Sequence, residues 1–184
     1  IELRLALPVG PLHERAGEFG AASLISESAL QWEDDHSWGM GYQDSDTSLD
    51  GTLFTISLPY YRIDLLPEAI DALAQCAWGW DPASLDPEEL EGWEEQSLTP
   101  FINALCNREG GAPITAEALS HFYTTYYRHL PVAVIVAGTV DGDWVEAEIA
   151  RAFSHPPEGD VLPWPVTPSL TERPKQLSIS TDTS

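Results

Sequence analysis

The chain has 184 residues, 43% of them hydrophobic and seven of them tryptophan, enough apolar material for one domain with a real core and too much for a disordered chain. Thirty acidic residues against eight basic ones give a formal charge of -22, which repels phosphate backbones and anionic lipid heads and so excludes nucleic acid and membrane surfaces as partners. The acidity itself has two readings: a solvated surface, or an acidic wall that attracts cationic peptides or a basic partner.

In chain order, "IELRLALPVG" alternates apolar and polar residues before Pro-Val-Gly, the pattern of a half-buried strand ending in a turn. After the loop "PLHERAGEF", Ala21, Leu24, Ile25 and Ser28 recur at helical spacing and predict a helix running towards Trp32. "SWGMGYQDSD" and "SLDGTLFTISLPY" read as two strands that pair antiparallel across a turn. "LLPEAIDALAQCAW" restores the helical period, with Asp64 as its predicted N-cap. A further acidic helix is predicted over "DPEELEGWEEQSLTPFINAL", ended or kinked by Pro100. "TAEALSHFYTTYYRHL" is helical from a Thr115 cap, and Pro131 delivers the chain into the strand "VAVIVAG". "DGDWVEAEIARAF" makes a last helix capped by Asp141 or Asp143. The domain therefore covers 1–155. Residues 156–184 form a proline-rich connector and a terminal strand, "KQLSIS". The fold class is α+β: a mixed, largely antiparallel sheet with helices packed on one face.

Cys76 and Cys106 lie in apolar helical patterns and read as buried thiols, which favours a reducing compartment and hence the cytoplasm. The longest apolar runs fall far short of the roughly 20 residues of a membrane span. The sequence opens on Ile1 rather than Met, so targeting stays open. Phe122, Tyr126 and Tyr127 at helical spacing read as core, and "EELEGWEE" as a solvated face. Generic catalytic patterns are missing from the sequence: no glycine-rich phosphate loop, no G-x-S-x-G, no C-x-x-C, and five histidines (His13, His36, His121, His129, His155) without ligand spacing.

Several strings taken in order are more specific. "LRLALPVGPLHERAGEFGAASLISESAL", "SLDGTLFTISLP", "IDLLPEAIDALAQCAW", "LDPEELEGWEEQ" and "ITAEALSHFYTTYYRHLPVAVIVAGTVDGDWVEAEIARAFSH" resemble the insulinase/pitrilysin-like metallopeptidases and the subunits of mitochondrial processing peptidase. The resemblance covers nearly the whole chain. It implies one half of a peptidase clamshell, with the family's first strand and the linker to a second half lying outside this sequence. Residues 98–113 stand where the family usually has a longer helical excursion, so either the domain is pared down there or residues are missing from the sequence.

The family's inverted zinc motif, H-x-x-E-H, falls on "SLISE", with Ser23 at the first histidine, Ser26 at the catalytic glutamate and Glu27 at the second histidine. Two hydroxyls and one carboxylate cannot supply the imidazoles and the general base that hold zinc and activate its water. The third ligand falls near Thr99 and Pro100, with Glu94 or Glu95 reachable by a shift of several residues. The resemblance thus implies a chain that is not catalytic by itself and has no cofactor, zinc being expected only in a catalytic partner. That partner is a peptidase half or subunit carrying H-x-x-E-H, and the two would enclose and orient a peptide substrate. A structural or assembly role on the same fold is the alternative. Trp78, Trp80 and Trp164 are the candidate interface residues.

Overall fold

A computed structural model describes residues 1–30, 41–85, 114–129 and 132–156. Strand β1, Glu2–Leu7, carries the alternation seen in its sequence: Leu3, Leu5 and Leu7 are buried, while Arg4 on the other face is exposed. Burying each of those leucines stabilises the fold by about 1.5–3 kcal/mol relative to leaving it in water. Three further strands, β2 (Tyr42–Thr47), β3 (Thr52–Ser57) and β4 (Ala133–Ala137), complete a sheet in the order β2-β3-β1-β4. All three pairings are antiparallel, so the mixed sheet expected from the sequence has no parallel pair among the described residues. The register sets Leu5 opposite both Phe54 and Val134, which builds one continuous apolar row across the sheet.

Helices cover that row. Helix α1, Ala21–Ala29, presents Ala21, Ala22, Leu24 and Ile25 to the core. Helix α2, Leu66–Ala74, presents Leu66, Ala69, Ile70 and Leu73, and continues through a π-helical turn at Gln75–Gly79. Asp64 is not the cap of α2. A 3-10 run over Tyr60–Leu65 precedes the helix, Leu65 takes the cap position without a side-chain bond, and the Asp64 carboxylate accepts from the Arg62 guanidinium at 3.2 Å instead.

Helix α3, Ala116–Phe122, starts where the Thr115 hydroxyl accepts from the Ala118 N–H, and it too widens into a π-helical turn, Tyr123–Tyr127. Helix α4, Gly142–Ala152, is capped by Asp141, whose carboxylate accepts from the N–H groups of Asp143 and Trp144. It rests on α2 through Phe153, whose ring meets Trp78 edge-on at 5.1 Å, and through an exposed Arg151–Asp71 ion pair. The predicted acidic helix, Cys106, Trp164 and the terminal strand lie outside the described residues.

The two π-helical turns meet in the core. Thr52 donates its hydroxyl hydrogen to Val9 O at 2.7 Å, so at 3.0 Å it is the Tyr127 hydroxyl that donates to Thr52. Tyr123 stacks on Tyr127, accepts from the Trp80 N–H and donates to Cys76 O. The Cys76 thiol in turn donates to Ala29 O, the last residue of α1. One chain of hydrogen bonds thus fixes α1 against α2 and α3.

Candidate functional site at the cleft between α1 and β2

The approach to α1 is set by glycine and by two buried acids. Gly20 holds the N-cap position at a φ of 95°, a left-handed conformation that side chains resist. The Glu14 carboxylate, buried, accepts from the Ala22 N–H at 3.0 Å, placing negative charge at the helix N-terminus where the backbone dipole favours it. Glu18, also buried, accepts from the Arg15 N–H and meets His121 Nδ1 of α3 at 2.8 Å. These contacts fix the rotation of α1 about its axis, and with it the face that looks outward.

Ser23, Ser26 and Glu27, at i, i+3 and i+4, share that face. Ser26 is 3% exposed, and its hydroxyl donates to Ser23 O at 3.0 Å and accepts from the Thr47 hydroxyl of β2 at 2.7 Å. Glu27 stands on the rim, exposed, with no ion pair among the described residues. Partial desolvation pushes its carboxyl above the usual glutamate value. The two elements border a cleft of about 250 Å3 lined by Ser26, Glu27, Leu30, Gln43, Asp44 and Ser45.

Among the described residues, strand β2 ends the sheet on this side. Its backbone polarity follows from the register. Ile1 and Leu58 exchange both backbone bonds, so in the β1–β3 ladder Thr52, Phe54 and Ile56 point their N–H and C=O groups at β1. Leu53, Thr55 and Ser57 then serve β2, where they meet Asp46, Asp44 and Tyr42. The backbone groups of Gln43, Ser45 and Thr47 are left aimed outward from the sheet edge. The Thr47–Ser26 bond shows that the side chains of this same set face α1. The sequence pattern picked out the α1 residues of the site but not this facing wall.

The tryptophans lie elsewhere. Trp80 is buried with its ring edge-on to Tyr123 at 5.3 Å, and Trp78 is half-buried against Phe153. The chain's own core thus packs the Trp80 ring against Tyr123. Trp164, and the third-ligand positions Glu94, Glu95, Thr99 and Pro100, fall outside the described residues.

No protein-family model matches the sequence. The protein YhjJ of Salmonella typhi is 26% identical over 217 aligned positions, which take in 99% of this chain and 43% of that protein. The chain thus spans less than half the length of this relative, which also carries extra residues inside the matched span. Among solved structures, a predicted insulinase family protease from Yersinia pestis is 26% identical with a TM-score of 0.67, matching 90% of this chain and 43% of that one. The ferredoxin protease FusC, crystallised with Arabidopsis ferredoxin, gives a TM-score of 0.67 at 22% identity, with 88% of this chain and 22% of that chain covered. A pitrilysin structure gives 0.59 at 16% identity, over 82% and 20% of the two chains. The protein has the fold of the insulinase-like, pitrilysin-type proteases.

That fold implies zinc, and the residues on α1 do not fit it. The Ser26 hydroxyl already spends its hydrogen and one lone pair within the chain, and the single carboxylate of the set is on the rim. Among the described residues no group of three or more His, Cys, Asp or Glu side chains could hold a metal ion. What the arrangement does offer, among the described residues, is a strand edge beside a polar cleft.

Proposed function

We propose that this chain is the non-catalytic half or subunit of an insulinase-like peptidase, helping to enclose and orient a peptide for a partner that carries H-x-x-E-H and the zinc, as the subunits of mitochondrial processing peptidase divide their labour. The observation that carries the reading is the Ser26 hydroxyl, which is tied to Ser23 O and Thr47 where the motif resemblance would put the catalytic base. A hydroxyl so held takes no proton from water. The outward backbone groups of β2 support the binding half of the proposal, since an extended peptide added to a sheet edge gains main-chain hydrogen bonds with little demand on its sequence. Of the candidate interface tryptophans Trp78, Trp80 and Trp164, the half-buried Trp78 is the better placed among the described residues for contact with the partner, since Trp80 is buried.

The test measures zinc content and peptide turnover for the chain alone, for a candidate catalytic subunit alone, and for the two mixed, with light scattering on each. The expected result is no stoichiometric zinc and no turnover for the lone chain, a heterodimer in the mixture, and faster cleavage than the catalytic subunit achieves by itself. A heterodimer whose turnover equals that of the catalytic subunit would leave the chain a structural role only.

A further inference from the structure

We propose that the cleft beside Glu27 receives the basic side chain of an extended peptide paired along β2, so that the chain selects peptides with lysine or arginine opposite Gln43 or Ser45. This rests on the reading of the β2 edge as a peptide seat and adds to it what the seat prefers. A guest residue hydrogen-bonded opposite Gln43 or Ser45 sends its side chain to the same face as theirs, which is the face of α1. Every second guest side chain is therefore delivered onto the cleft, and its neighbours go to the opposite face of the sheet.

The lining decides which side chain fits. Of its two ionisable residues, Asp44 belongs to the opposite face by strand alternation, the face of Tyr42 two residues away. Glu27 is left as the charge over the cleft, with no ion pair among the described residues. The Gln43 amide and the Ser45 hydroxyl add neutral acceptors, and Leu30 offers an apolar wall for a methylene stem. An ammonium or guanidinium on a flexible stem matches that set of donors and surfaces. A guest carboxylate would meet Glu27 on one face and Asp44 and Asp46 on the other, in the field of a chain of formal charge -22.

The experiment is fluorescence anisotropy with a fluorescein-labelled peptide of alternating threonine and valine carrying one central lysine, compared with the same peptide carrying glutamine or glutamate there. The lysine peptide should bind about tenfold tighter than the glutamine peptide, the scale of one charge-assisted hydrogen bond, and the glutamate peptide more weakly than either. Glu27→Gln should erase the lysine preference, and Glu27→Lys should turn the preference towards glutamate. Equal binding of the lysine and glutamine peptides to the unmodified chain would overturn the charge selection while leaving the edge seat in place. Binding of none of the three would remove the edge seat itself, and this inference with it.

Discussion

At the scale of single residues, Glu27 and Cys76 show how position sets chemistry. Desolvation raises the Glu27 carboxyl in the folded chain, so the folded state holds that proton more tightly than the unfolded one. The sign follows: charging Glu27 costs stability above its folded value, and the cost is relieved as pH falls through the window between that raised value and the ordinary carboxylate value. Urea midpoints of the native chain and of Glu27→Gln should therefore converge as pH is lowered from neutrality through the carboxylate range, with the variant the more stable at neutral pH. A gap that widens on acidification would mean that Glu27 is paired. Burial pushes the Cys76 thiol up to about 12, and its hydrogen is held by Ala29 O. The thiolate is the reactive form, so alkylation mapped to Cys76 in the folded chain should run about a thousandfold slower than for an ordinary thiol and recover on denaturation.

The elements differ in how much of them the sequence makes legible. Where one face is buried the period is plain, as in β1 with Leu3, Leu5 and Leu7, and caps with a free carboxylate or hydroxyl, Asp141 and Thr115, act as their residue types suggest. Asp64 fails as a cap because Arg62, two residues away, captures its carboxylate. The π-helical turns carry no local signature; they come together where Tyr123 bonds Trp80 N and Cys76 O across the core. In the site, the spacing of Ser23, Ser26 and Glu27 is readable, whereas Gln43 and Ser45 become its second wall only through the β2–β3 register. The turn that fixes this register packs on Gly10, where a Cβ would lie 2.8 Å from Leu49 O and 2.9 Å from Gly51 N. Because those neighbours are backbone, Gly10→Ala should cost about 1–3 kcal/mol, seen as a lower urea midpoint with an unchanged slope.

For the molecule as a whole, the matched structures are more than twice the length of this chain, and the proposed role makes the site one wall of a larger enclosure. Restoring the motif by Ser23→His, Ser26→Glu and Glu27→His should therefore not make the lone chain a peptidase, because catalytic geometry needs its supporting groups as well as its ligands. Zinc-dependent peptide cleavage by the triple variant on its own would show the site to be complete within these residues. The sheet carries a different consequence, one of timing. β1 sits between β3 and β4, yet the residues from Ser57 to Ala133 must be made before its second neighbour exists. At translation rates of about 5–20 residues per second, the nascent β1 keeps one ladder of backbone groups unpaired for roughly 4–15 s. During that interval the emerging chain offers a bare central strand, a target for chaperones and for misplaced pairing that the finished fold conceals.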